Sequence, residues 1–108
     1  CLPNPGKFAE YQVLTGLDNL VQDWLEAKEE TIMFLNHLKG TLDLSVKRYI
    51  ARDFERLMVS CGCTGGQHRS VYVAENLGKH FSRYPGLSVQ LTHTERSFWP
   101  ASTQLQER

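Results

Sequence analysis

No run of apolar residues in this sequence approaches the ~20 needed to cross a bilayer as a helix, and no secretory leader is visible. There is no Gly-x-x-x-x-Gly-Lys-Ser/Thr, so the chain is not itself a P-loop NTPase. Cysteine is scarce and odd in number: three residues, with Cys61 and Cys63 flanking a glycine. That is too few and too bunched for a disulfide scaffold, and no second Cys/His pair completes a zinc site. Reduced thiols, a cytoplasmic location and no metal are the expectation. An excess of charge is missing too. Twelve basic side chains balance twelve acidic ones, so the field of the whole molecule draws in no polyanion; this counts against non-specific nucleic-acid binding but leaves a local basic face open. There is no internal repeat. The 108 residues make one domain with a real core. The chain opens on Cys1 rather than methionine, and is expected to be a piece of something longer.

What is present centres on residues 57–74, Leu-Met-Val-Ser-Cys-Gly-Cys-Thr-Gly-Gly-Gln-His-Arg-Ser-Val-Tyr-Val-Ala. A short apolar run, Leu57 to Val59, leads into a glycine-rich turn and then directly into a helical pattern. Strand, turn and helix N-terminus form an anion site, because the turn presents backbone N–H groups and the helix end adds roughly half a positive charge. Gly62, Gly65 and Gly66 let the backbone approach a ligand closely. Arg69 offers a planar fork suited to phosphate oxygens. The loop reads as a phosphate cradle.

The flanking chain predicts the fold. Pro3, Pro5 and Gly6 make the lead-in irregular, with neither helix nor central strand. Thr15 or Asp18 caps a helix bearing Leu17, Leu20, Val21, Trp24 and Leu25. After a polar break at 27–31, a second helix carries Ile32, Leu35, Leu38 and Leu42 on one face, and Gly40 costs it about 1 kcal/mol relative to alanine. Lys47, Arg48, Arg52 and Arg56 then interleave with Tyr49, Ile50 and Phe54 in the most basic segment. It reads either as a solvated helix end or as an RNA or phosphate contact carried by Lys47, Arg48 and Arg52. Beyond the loop, Val73, Ala74, Leu77 and Phe81 continue a helix that Tyr84-Pro85-Gly86 stops. Leu87, Val89 and Leu91 alternate with polar residues as a strand. Strand, helix and strand imply a right-handed βαβ unit with parallel strands. The expected fold is thus an α/β sandwich with a small parallel or mixed sheet, spanning residues 1–94, followed by a polar, disordered tail over 95–108.

Cys63 and Arg69 stand six apart with Ser70 following, the Cys-x5-Arg-Ser spacing of cysteine-dependent phosphatases, in which a thiolate attacks phosphorus and the arginine holds the oxygens. Such an enzyme also needs a general acid for the leaving group, and Asp18, Asp43 and Asp53 have no acid-loop context. Phosphate binding, catalysis by Cys63 with Arg69, and a structural turn all stay open on these residues. Cys61 reads as a small buried apolar residue. His68 at the helix start can donate to an anion or serve structure. His93, at the end of the last strand, lies where ligands of parallel sheets gather. His37 and His80 read as helix-surface residues, and Trp24 and Trp99 as packing.

The run Gly62-Cys63-Thr64-Gly65-Gly66-Gln67-His68-Arg69-Ser70-Val71-Tyr72 resembles the signature of the RapZ/YvcJ family, in its C-terminal domain. Leu2-Pro3-Asn4-Pro5 and Thr15-Gly16-Leu17-Asp18 resemble that family's upstream signatures in the right order, so the likeness covers residues 2 to 93. It implies a phosphofructokinase-subdomain-like sandwich, and a nucleotide-binding domain N-terminal to this one. The strand preceding Leu-Pro-Asn-Pro in the family falls before Cys1. It implies a bacterial RNase adapter that senses glucosamine-6-phosphate and presents a small regulatory RNA to RNase E. Cys63, Thr64, Gly65, His68 and Arg69 would be the carried-over sugar-phosphate contacts, with Gly66 and Ser70 in the same loop and Asn4 and His93 as further candidates. No cofactor is expected in this domain, and a homo-oligomer is compatible with these readings. Adapter-type members end in a Lys/Arg cluster; here residues 95–100 hold Arg96 as their one base, so RNA binding has less support than phosphate binding.

Overall fold

The computed structural model describes residues 2–100. Its regular elements are four α-helices: α1 (Ala9–Gln12), α2 (Asn19–Glu26), α3 (Glu29–Ala51) and α4 (Arg69–Phe81), with 3-10 turns at Pro5–Lys7 and Arg96–Phe98. Among the described residues no helix is long and apolar enough to cross a membrane.

The lead-in is more ordered than its prolines predict. Pro5 stands at the first position of the 3-10 turn, where its fixed φ is an advantage, and the Asn4 side chain caps the turn by accepting from Gly6 N–H at 3.0 Å. Phe8, Tyr11 and Trp24 then pack edge-to-face or tilted, with centroids 5.8–6.4 Å apart, and join this lead-in to α2. Asp18 is the N-cap residue of α2, and its carboxylate accepts from Thr15 N–H at 2.8 Å while Thr15 Oγ1 accepts from Leu17 N–H at 3.1 Å. Asp18 thus takes the N-cap position, but neither its carboxylate nor the Thr15 hydroxyl accepts from an N–H of α2; both side chains instead close the turn that precedes the helix. Ala27 and Lys28 form the short break, and α3 starts at Glu29.

The core lies between the helices. Val21 and Leu25 of α2, Leu35 and Val46 of α3, and Tyr72, Val73, Leu77 and Phe81 of α4 form one buried cluster, with Phe34, Leu38, Leu42, Cys61 and Leu87 packed against it. Spacings of three and four residues place these side chains on single faces of their helices. Tyr72 is buried and donates its hydroxyl to Glu26 at 3.3 Å, tying α4 to α2; burial and the Glu26 charge push its phenol up to about 12.

The α/β sandwich is not what forms. No strand ladder occurs among the described residues, and the fold is helical. The segments read as strands run without helical structure where expected, and both lie near α4. Cys61 and Leu87 pack on the core, Leu91 approaches Gly78, and His93 bonds to Glu75. Yet neither segment exchanges backbone hydrogen bonds with the other. A period-two pattern specifies which side chains face inward, but a sheet also needs a neighbour about 4.8 Å away with matching N–H and C=O groups. Among the described residues neither segment has that neighbour, and Leu57, Val59, Val89 and Leu91 are left well exposed.

Candidate functional site

The loop at residues 62–68 feeds straight into α4, with His68 as its N-cap. Gly66 takes a φ of 62°, a left-handed conformation that suits glycine. The loop is pinned from both ends of the chain. Gly16 N–H donates to the Gln67 carbonyl at 2.9 Å. Gly16 fits against α4 so closely that a Cβ there would collide with the His68 carbonyl and stand 2.5 Å from Tyr72 N. The Gln67 side chain donates to the carbonyls of Gln12 and Leu14 at 2.8 and 2.7 Å. On the opposite flank, Trp99 Nε1 donates to the Gly66 carbonyl at 3.0 Å, and the Glu95 side chain covers Gly66.

Beside the loop is a cavity of about 410 Å³. Leu2, Phe34, Leu38, Val59 and Val73 form its apolar wall, and Ser60 to Thr64, Arg69 and Ser70 form its polar one. A mostly apolar hollow with a few convergent polar groups is the usual form of a small-molecule site. Arg69 reaches the Leu2 carbonyl with one terminal nitrogen at 3.5 Å, while its Nε is buried with no hydrogen-bond partner. A buried charged donor without an acceptor is costly, and the same side chain lines the cavity.

Cys63 Sγ already attracts such donors. Ser70 N–H donates to it at 3.4 Å, and the Ser70 hydroxyl lies 3.3 Å away, able to accept from the thiol or donate to the thiolate. Burial pushes this thiol up, but the Ser70 hydroxyl and N–H, with the Gly66 and Gln67 N–H groups, outweigh it and bring the thiol from 9.0 down to about 7. Cys61, two residues away, lacks these donors, and burial alone raises its thiol. The loop thus stabilises negative charge at Cys63 and not at its neighbour.

The structure gathers Cys63, Thr64, Arg69 and Ser70 around one cavity. Gly65 and Gly66 shape the turn beside it without lining it. His68 is turned the other way: it is buried, its Nε2 donates to the Tyr11 carbonyl at 2.8 Å, and its ring sits against Gly6. Asn4 caps the first turn, and His93 is bonded to Glu75 at 2.7 Å. Lys47, Arg48 and Arg52 stand at the far end of α3 and do not line the cavity. Nothing local in the sequence singles out Gln67, Gly16 and Trp99, which hold the loop in shape, as site residues. Their contacts span 33 to 55 positions along the chain, and no local pattern announces such pairs. Among the described residues no group of His, Cys, Asp and Glu is arranged to hold a metal ion.

Comparison with known proteins places this geometry in context. The model of the RapZ C-terminal domain matches residues 1–97. A nucleotide-binding protein of Lactobacillus acidophilus is 43% identical over 97 residues, which are 89% of this chain and 32% of the relative. A nucleotide-binding protein of Lactobacillus helveticus is 42% identical over the same share of each chain. One from a Geobacter species is 38% identical over 94 residues, 87% of this chain and 32% of the relative. The chain thus spans about a third of the length of the curated relatives it matches. Since the family model covers nearly all of the described chain, including the loop and the Gly16 and Gln67 contacts that pin it, the protein belongs to the RapZ C-terminal domain family.

Proposed function

We propose that this domain binds a phosphorylated small molecule, a sugar phosphate of the glucosamine-6-phosphate kind, and acts as the sensing part of a RapZ-type RNase adapter. The observation that carries the binding reading is the buried, unpartnered Nε of Arg69 beside a cavity whose other polar wall already favours negative charge. A phosphate would accept from the Arg69 guanidinium and from backbone N–H groups at the start of α4, while the Thr64 and Ser70 hydroxyls reach sugar or phosphate oxygens. The apolar wall from Phe34, Leu38 and Val73 suits the carbon face of a sugar ring. Hand-over of a small regulatory RNA to RNase E is a separate proposal, with Lys47, Arg48 and Arg52 as its candidate contacts.

A second reading has one observation in its favour. A thiol brought down to about 7 beside an arginine is a competent nucleophile, as a cysteine-dependent phosphatase requires. Among the described residues, no acid of the kind such an enzyme needs lines the cavity. Asp18 is engaged by Thr15, Asp43 by His80 and Tyr84, and neither they nor Asp53 line it. We therefore favour binding over catalysis.

Arg69→Ala removes a charge-assisted contact contributing about 1.5–3 kcal/mol, so glucosamine-6-phosphate affinity should fall tenfold or more in titration calorimetry. Equal affinities for the two proteins would sink the assignment. Turnover of an aryl phosphate by the wild type, abolished in Cys63→Ser, would establish the phosphatase in its place.

A further inference from the structure

The Gly66 carbonyl and the Gln67 N–H belong to one planar peptide unit, so fixing one end fixes the other. The carbonyl end is held by Trp99 Nε1 at 3.0 Å. The N–H end helps to lower the Cys63 thiol, whose sulfur also accepts from the Ser70 N–H at 3.4 Å. Trp99 is itself firmly seated: it is 4% exposed, and its ring lies against His93 with centroids 5.4 Å apart. His93 is in turn held by Glu75 of α4 at 2.7 Å. A chain of contacts thus runs from the middle of α4 through His93 and Trp99 back to the loop in front of that helix. The next peptide, Gln67–His68, has its carbonyl held by Gly16. Two successive peptides are therefore clamped by residues from opposite ends of the sequence. Beyond orientation, a hydrogen bond accepted by a carbonyl polarises the N–H of the same peptide and strengthens what that N–H donates.

We propose that Trp99 is a positioning residue of the loop, its indole N–H holding the Gly66–Gln67 peptide so that the Gln67 N–H faces the anion position. Contact between Trp99 and the ligand plays no part. The anion half of this inference rests on the phosphate-binding reading above; the positioning half does not, because Cys63 reports on the same N–H without any ligand.

The test uses a background in which Cys1 and Cys61 are serine, leaving Cys63 as the single thiol. Trp99→Phe keeps an aromatic ring and removes the donor. A second variant carrying 3-benzothienylalanine at position 99 keeps the indole shape and replaces only the N–H with sulfur, so it decides the matter if Trp99→Phe does not fold. The pH midpoint of Cys63 alkylation should rise by about half a unit, a threefold shift toward the thiol, and sulfate should bind about threefold more weakly. An unmoved alkylation midpoint in the folded benzothienyl variant overturns the proposal. If that midpoint moves but the parent protein binds no sulfate, the positioning role stands and the phosphate-binding reading falls.

Discussion

Two polar clusters hold α4 in place, and they differ in what is left over once their internal bonds are made. Along the seam between α3 and α4, Asp43 Oδ1 accepts from His80 at 2.8 Å and from the Tyr84 hydroxyl at 2.6 Å. The bonding of that triad is closed: one carboxylate oxygen serves two donors, and the Tyr84 and His80 hydrogen bonds hold its carboxyl below the ordinary 3.8. At the other end of α4, the loop bonds are spent on shape. Gly16, Gln67 and Trp99 fix the backbone, yet Arg69 Nε stays unpartnered and several N–H groups converge on one sulfur. A satisfied cluster stabilises; an unsatisfied one held rigid has capacity for a ligand. Residue type alone does not separate the two, since both contain acids, hydroxyls or histidine near a helix end.

The strongest way to break this contrast is to disturb the scaffold of the loop without touching its donors. In Gly16→Ala the new methyl group meets backbone at His68 and Tyr72, which cannot swing aside as a flexible side chain would. Overpacking of this kind costs about 1–3 kcal/mol, and the backbone collision places it at the upper end. Denaturant unfolding should show that loss, and Cys63 should lose its early alkylation as the loop shifts. A variant as stable as the parent with an unchanged thiol would mean that the 15–16 turn does not support the loop.

This dependence on distant residues explains what could and could not be read from the sequence. Helices α2, α3 and α4 were legible because each is local: Leu35, Leu38 and Leu42, or Val73, Leu77 and Phe81, fall on one face by spacing alone. The short α1, by contrast, lay in a lead-in that Pro3, Pro5 and Gly6 made read as irregular. So was the loop, whose glycines, Cys63 and Arg69 lie within a few positions of one another. The sheet was not, because period-two alternation at Leu87, Val89 and Leu91 says nothing about which backbone lies alongside. His68 shows the same limit. Its place beside Arg69 offered an anion contact, whereas the fold turns its ring to the Tyr11 carbonyl, 57 positions away.

A smaller effect sharpens the loop side of the comparison. The Cys63 thiol lies below its ordinary 9.0 at about 7, so the loop's preference for thiolate is fully present above 9.0 and is lost as pH falls through about 7. Alkylation of Cys63 should therefore reach half its maximal rate near pH 7, well before Cys61. Thiolate and a bound anion compete for the same N–H groups, so sulfate, which does not titrate over this range, should bind less tightly as pH rises through about 7. Cys63→Ser should flatten that dependence. A slope that survives the substitution assigns the titration to another group and separates the thiol from the anion site.

The smallest effect belongs to the seam. Asp43 and His80 are each 28% exposed at the side chain, so water screens their attraction, and such a pair contributes at most about 1 kcal/mol. Because the folded carboxyl of Asp43 lies below 3.8, its contribution is present above that value and is lost as pH falls through the lowered one. Asp43→Asn should therefore lower the thermal midpoint slightly at neutral pH and become indistinguishable from the parent in strong acid. Sulfate affinity and the alkylation midpoint of Cys63 should be untouched in it. If either moved with Asp43→Asn, the two ends of α4 would be coupled, and the division between a closed structural cluster and an open binding one would fail.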